Sequence, residues 1–340
     1  MTEQIGTHPV TYGEAVIEAM REEMRRDSRI FVIGYYLPNM LFGYHGAGRL
    51  MGELGEDRFM MSPVTENAMA GAAVGAAMMG FRPVVDLMAP NFAYYATDQL
   101  INQAAKQRLT SGGQFSVPAV FVLHHGATRS GSHHNDRSHQ MYVQVPGMQV
   151  LAPSTPYDAK GLLKSALRSD DPIIFYLDNI PGERFGGRRQ QIPDEEYLVP
   201  IGSAVVLREG KDITVVPICW LHKTMEAAKQ LEQEGVSVEV VEPRSLKPLD
   251  VASILRSVAK TGRLVVVDSA PPHSNVASEV AAVVAEEAFP YLKAPILRVT
   301  TPDVHVAFSA PLDAAAWPSK ERIMTAIKRC LSYQHENNEL

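Results

Sequence analysis

The stretch Glu66-Asn-Ala-Met-Ala-Gly-Ala-Ala-Val-Gly-Ala-Ala-Met-Met-Gly-Phe-Arg-Pro-Val-Val-Asp-Leu-Met88 decides the fold class. Its first part, Asn67–Gly80, is Ala- and Gly-rich with no proline, which predicts a buried helix. Its second part, Pro83–Met88, is a short apolar run behind a Gly-Phe-Arg-Pro step, which predicts a buried strand. A helix leading straight into a strand of this kind is one unit of a parallel α/β sheet.

The same alternation extends outward from this unit. Strands are predicted at Arg29–Gly34, Val117–Leu123 and Pro172–Leu177, with helices at Tyr94–Arg108 and Tyr157–Arg168. Asn179–Pro200 is rich in Gly, Pro and charge and breaks the pattern as a linker or exposed crossing. Alternation then resumes, with strands at Ala204–Leu207, Ile213–Pro217, Val236–Val241, Leu264–Asp268 and Ile296–Val299. The helices expected between them are Thr224–Glu234, Val251–Lys260, Ala277–Glu287 and Lys320–Cys330. The expectation is an α/β protein of two doubly wound domains, with their boundary near residues 190–200.

Composition narrows the function. The chain has 340 residues, long enough for two domains. A net charge of −6 gives no electrostatic reason to expect nucleic acid or an anionic membrane as partner. Cys219 and Cys330 are the only cysteines, which makes neither a disulfide framework nor a zinc site and fits a reducing cytoplasm. Met1–Pro9 carries no apolar core of a secretory signal, and Ala68–Met79 is too short to span a bilayer. Walker A, HExxH, GxSxG and CxxC motifs are absent. Gly43, Gly46, Gly48 and Gly52 have the wrong spacing for a dinucleotide fingerprint and are read as a loop needing φ > 0.

Three features carry chemistry. Ser62-Pro-Val-Thr-Glu66 places a carboxylate at a helix start; alone it reads as Thr65 capping the helix while Glu66 complements its dipole. Gly71 and Gly75 share a helix face and would let a backbone or flat ligand approach. Pro90-Asn-Phe-Ala-Tyr-Tyr95 is either core packing or an aromatic platform at the carboxyl end of a strand, where α/β ligands bind. His124, His125, His133, His134 and His139 lie in one polar stretch behind a buried strand. Acid–base catalysis and metal binding are equally compatible with that stretch.

Longer blocks settle what single motifs do not. Asp98-Gln-Leu-Ile-Asn-Gln-Ala-Ala-Lys106, Ser111-Gly-Gly-Gln-Phe115, Pro146-Gly-Met148, Pro153–Leu163 and Arg244-Ser-Leu-Lys-Pro-Leu-Asp250 stand in register with one another. Together with Phe81-Arg-Pro83 they resemble the beta subunit of thiamine-diphosphate-dependent 2-oxoacid dehydrogenases of the pyruvate, acetoin and branched-chain type, within the transketolase-like superfamily. The resemblance runs from about Tyr12 to Leu331. It implies a pyrimidine-binding thiamine-diphosphate fold over residues 1–195 and a transketolase C-terminal domain over 196–340. It further implies an α2β2 heterotetramer with an alpha subunit that carries the diphosphate and Mg2+ ligands, since no Gly-Asp-Gly occurs here.

By the same resemblance Glu66 contacts the aminopyrimidine ring nitrogen and His134 reaches the substrate and lipoyl sulfur. Phe92 packs on the pyrimidine, and Tyr95 and Val64 line the cofactor pocket. Ala119, Ala166, Ser169 and Asp171 match a loop where some relatives hold potassium through backbone oxygens. The implied reaction decarboxylates a 2-oxoacid such as pyruvate and passes the acyl group to the lipoyl arm of an acyltransferase. The competing readings are a two-component transketolase or carboligase acting on a carrier protein or aldehyde, and a non-catalytic subunit, against which Glu66 and His134 argue. The chain departs from the family at three places. Tyr35 replaces a glutamate of a proton relay, Asn135-Asp136-Arg137 follows the histidine, and Asp268-Ser269 and Asn275–Glu279 alter the second domain.

Overall fold

A computed structural model of the protein describes residues 6–35, 37, 47–125, 130–178 and 189–334. The chain divides into two compact units between Ile201 and Gly202.

The first unit opens with β1 (Thr7–Val10) and α1 (Tyr12–Arg26), followed by β2 (Ile30–Gly34) and α2 (Ala47–Leu54). Next come β3 (Phe59–Met61), α3 (Glu66–Met78), β4 (Arg82–Asp86), α4 (Pro90–Ala93) and α5 (Gln107–Thr110). The unit closes with β5 (Val120–His125), α6 (His139–Val143), β6 (Gln149–Leu151), α7 (Pro156–Arg168), β7 (Ile173–Asp178) and β8 (Gln190–Pro193). Strands β6-β7-β5-β4-β2-β3 form a parallel sheet in that order. Its central strands are buried on both faces, which is why they read as continuous apolar runs without alternation.

Helix α1 covers one face together with α7. It starts with a capping box, in which Thr11 Oγ1 accepts from Glu14 N (3.3 Å) and Glu14 Oε2 accepts from Thr11 N (2.8 Å). Between the two helices the buried Lys160 and Lys164 of α7 pair with Glu22 of α1, at 2.7 and 2.6 Å. Tyr12, Met20, Ile30, Leu162 and Phe175 belong to the core beneath.

The second unit contains β9 (Val205–Arg208), β10 (Ile213–Ile218), α8 (Leu221–Gln233), β11 (Val238–Glu242), β12 (Ser245–Lys247) and α9 (Val251–Thr261). It continues with β13 (Leu264–Asp268), α10 (Val276–Glu287), β14 (Leu297–Thr300), α11 (Ala310–Ala316) and α12 (Lys320–Leu331). Its sheet runs β14-β13-β10-β11-β9, parallel except for β9, which pairs antiparallel to β11. The departure at Asp268 is structural: its buried carboxylate accepts from Ala270 N (2.9 Å) and from Ala277 N (3.2 Å) at the start of α10.

Several local expectations change. Gly48 and Gly52 lie inside α2 rather than in a loop with positive φ, because Leu50 and Met51 bury the helix against the core. Gly43 and Gly46 lie outside the described residues. The helix expected over Tyr94–Arg108 is broken into short turns, with a π-turn at Gln99–Ala104 before α5. The widened π-turn and the tight turn at Tyr94–Ala96 both pack on α3, so tertiary contact overrides the local propensity. The linker contributes β8, which pairs antiparallel with β1.

Candidate active site

The catalytic candidates gather at the carboxyl ends of β2, β4 and β5, where open α/β sheets place their ligands. Tyr35 follows the last residue of β2 and Glu66 opens α3. The Thr65 side chain makes no capping bond to the helix, so the local reading of Ser62–Glu66 as a plain cap does not hold. Glu66 is instead 7% exposed, and its Oε1 accepts the Tyr35 hydroxyl at 2.7 Å. A buried carboxylate needs such a donor to offset its lost hydration. Tyr35, which the resemblance sets in place of a relay glutamate, is therefore a direct partner of the catalytic candidate.

The end of β4 is strained. Met88 adopts φ +56°, uncommon for a side chain other than glycine. The strain is held from both sides: Met88 N donates to Asp86 Oδ1 (3.0 Å), and Met88 O accepts from His124 N (2.6 Å). His124 Nε2 lies 3.0 Å from Asp86 Oδ1, with both side chains buried. This bend redirects the chain into α4, whose Pro90 fits the first turn of a helix.

Helix α4 packs on α3 and on the turn Ser132–His134. The Phe92 and His134 rings meet edge-on, with centroids 5.2 Å apart at 76°. His134 Nδ1 lies 3.1 Å from the Ser130 carbonyl oxygen, which can only accept. The neutral ring thus carries its proton on Nδ1 and leaves the Nε2 lone pair for chemistry. His133 is also exposed, whereas His139 is buried beside Tyr176. Residues 126–129 lie outside the described residues, as does the side chain of His125. Arg137 is buried, and Asp136 accepts the Tyr94 hydroxyl at 3.0 Å. Burial, with the Asp136 carboxylate beside it, pushes the Tyr94 phenol above its ordinary value.

Val64 and Tyr95 are exposed, at 68% and 70%, and Tyr95 belongs to the turn that packs on α3. Among the described residues no group of three or more His, Cys, Asp or Glu is placed to hold a metal. Ala119, Ala166, Ser169 and Asp171 converge where α7 leads into β7. The Ser169 carbonyl there accepts from the Arg82 guanidinium at 2.7 Å, and the Asp171 carboxylate is engaged by Arg108 and Gln149. The potassium ligands implied by the resemblance are backbone oxygens, and one of them, Ser169 O, already takes a hydrogen bond from Arg82. Sequence reasoning missed Tyr35 as a partner of Glu66 and missed the part played by Asn91, whose amide bonds both Ser132 and Asp136. Only the position of Asn91 within the aromatic stretch after a strand hinted at it.

Comparison with known proteins identifies the domains. Residues 8–180 match the family model described as transketolase, pyrimidine binding domain, and residues 202–323 the one described as transketolase, C-terminal domain. The pyruvate dehydrogenase E1 component subunit beta of Rhizobium meliloti (strain 1021) is 40% identical over 322 residues, covering 94% of this chain and 69% of the relative. Subunit beta-1, mitochondrial, of Arabidopsis thaliana is 40% identical over 328 residues, covering 95% and 90%. The subunit beta of Rickettsia felis is 38% identical over 326 residues, covering 95% and 99%. A solved structure described as split gene transketolase, inactive beta4 tetramer, shares the fold with a TM-score of 0.77 at 23% identity, covering 96% of this chain and 99% of that one. With two transketolase-type domains in order and this identity over nearly its whole length, the chain belongs to the family of pyruvate dehydrogenase E1 component beta subunits.

Proposed function

We propose that this chain is the beta half of a thiamine-diphosphate-dependent enzyme that decarboxylates a 2-oxoacid of the pyruvate type and hands the acyl group to a lipoyl arm. The observation that carries the reading is the buried Glu66 carboxylate, held by Tyr35 at the carboxyl ends of the parallel strands. Its residues suit the pyrimidine end of the cofactor: a carboxylate in a dry setting can hold a proton at a ring nitrogen, and Phe92 offers a flat apolar wall beside it. When bound, the cofactor supplies an acidic carbon and an electron sink for decarboxylation. Glu66 holds and returns the proton at the ring nitrogen, with Tyr35 donating to its other oxygen. His134 presents Nε2 to the acceptor, its opposite nitrogen anchored on Ser130.

The exposed Val64 and Tyr95 support a half-site, completed by an alpha subunit that brings the diphosphate and Mg2+ ligands in an α2β2 assembly. No helix of the described residues is long and apolar enough to cross a membrane. Cys219 and Cys330 are buried and joined in no disulfide, which supports a reducing cytoplasm. A second reading, a two-component transketolase or carboligase working on a carrier protein or aldehyde, is favoured by the departure at Asn135–Arg137 right after the candidate histidine, where Asn135 and Arg137 are buried.

The test is Glu66→Gln in the chain co-expressed with its alpha partner, following carbon dioxide release from pyruvate. The amide keeps the shape but cannot exchange the proton, so turnover is expected to fall by several orders of magnitude. Retention of activity to within about tenfold, roughly 1.4 kcal/mol of barrier, would return Glu66 to a structural role. A wild-type complex inert on 2-oxoacids and active on a ketose phosphate would favour the second reading.

A further inference from the structure

His134 sits in a turn with little regular structure of its own, yet its neighbours are tied down. Within the turn, His134 N donates to Gly131 O (3.2 Å) and Asn135 Nδ2 donates to the same carbonyl (2.9 Å). Gly131 itself adopts φ +75°, a conformation other residues enter at a cost. These bonds are all internal to residues 130–135, so by themselves they neither place the turn in the site nor hold its two ends to the rest of the unit.

Placement comes from α4. Asn91 Nδ2 donates to Ser132 O at 3.1 Å, and Asn91 Oδ1 accepts from Asp136 N at 3.1 Å. The two bonds bracket His134, one on each side. Tyr94 adds a third, from its hydroxyl to Asp136 Oδ2 at 3.0 Å. Phe92, between the two, meets the imidazole ring edge-on. A side-chain amide gives a hydrogen from its nitrogen to a carbonyl and takes one on its oxygen from an N–H at the same time, as Asn91 does here. A carboxylate at residue 91 would face the Ser132 carbonyl with like polarity, and an alanine would leave both backbone groups unsatisfied.

We propose that Asn91 is a positioning residue for His134, a latch that fixes the turn so that Nδ1 stays on Ser130 and Nε2 stays turned outward to the acceptor, with Tyr94 closing the latch through Asp136. This rests on the reading of His134 as the group that serves acyl transfer. The latch acts on the histidine and not on Glu66, whose hydroxyl partner comes from a different strand end. Loosening it therefore impairs the acceptor step while the proton exchange controlled by Glu66 continues.

The experiment uses the complex of this chain with its alpha partner, reconstituted with thiamine diphosphate and Mg2+. Asn91→Ala, Asn91→Asp and Tyr94→Phe are compared with wild type. Long-range 1H–15N spectra of 15N-histidine protein, with the His134 signals assigned through His134→Gln, report which ring nitrogen carries the proton. Turnover with a lipoyl acceptor is set against exchange of the cofactor C2 proton. In wild type, His134 is expected as the Nδ1–H tautomer. Asn91→Ala should lose that single tautomer and lower acceptor turnover by about tenfold or more, while C2 exchange stays within about twofold. Asn91→Asp and Tyr94→Phe each keep part of the latch and should fall between.

An unchanged His134 tautomer in Asn91→Ala overturns the proposal. So does a parallel fall in turnover and C2 exchange, which would mean general damage to the fold; if Asn91→Ala does not fold, the same two readouts on Tyr94→Phe decide. Acceptor turnover that survives His134→Ala would instead sink the functional reading of the histidine, and the tautomer comparison would still decide the latch.

Discussion

Replacing Tyr35 by phenylalanine removes one oxygen atom and with it the 2.7 Å hydrogen bond to Glu66 Oε1. The ring and its packing stay, so the change isolates the donor. A hydrogen bond to a charged group is worth about 1.5–3 kcal/mol. Donation by the phenol favours the carboxylate with its charge, and hence the proton lying on the cofactor ring nitrogen and not on Glu66. Only the part of that energy that differs between the two proton positions affects the rate. If about 1.4 kcal/mol of it is differential, just under the lower end of that range, exchange of the cofactor C2 proton in Tyr35→Phe should slow by about tenfold. Rapid-quench exchange into deuterium oxide, read by proton spectra of the released cofactor, measures this directly. A cofactor titration alongside separates weaker binding from slower exchange. Exchange within about twofold of wild type, or faster than wild type, would refute the reasoning, because Tyr35 would then be a spectator or a competitor for the carboxylate.

Two further outcomes test the scaffold. Asp27 closes α1, and the Arg29 guanidinium and backbone hold its carboxyl down at about 2. A depressed carboxyl stabilises the fold above its ordinary value near 3.8, and that stability is lost as pH falls toward about 2. Arg29 is 55% exposed, so the effect is discounted to about 1 kcal/mol. Asp27→Asn should be less stable than wild type by that amount at neutral pH in urea titrations, and the gap should close below pH 3; a gap independent of pH would contradict the assignment. Gly147 adopts φ +82°, and a Cβ there would run into the Ala105 carbonyl oxygen. Gly147→Ala should cost roughly 3 kcal/mol from backbone strain and overpacking, and a midpoint unchanged in the same titration would show that the turn can shift.

The fold was legible where burial is two-sided. Runs such as Val84–Val85 and Val120–Leu123 are apolar without alternation because both sheet faces are covered, and that signal is local. Elements set by a single contact were not legible. Helix α2 contains Gly48 and Gly52 and holds its shape by burying Leu50 and Met51, while the Tyr94–Arg108 segment breaks because its turns pack on α3. The antiparallel β1–β8 pair joins residues nearly the length of the first unit apart, beyond the reach of any local pattern.

The sequence by itself determined the succession of strands and helices and, through blocks such as Asp98–Lys106 in register with the rest, the residues to suspect: Glu66, Phe92 and His134. It could not decide what those residues touch. Tyr35 and Glu66 are 31 positions apart, and Asn91 is 41 and 45 positions from the two groups it binds. Each pairing exists only because parallel strands deliver their carboxyl ends to one edge of the sheet. A phenol read as the loss of a carboxylate along the chain is, in three dimensions, the hydrogen-bond donor that a buried carboxylate requires.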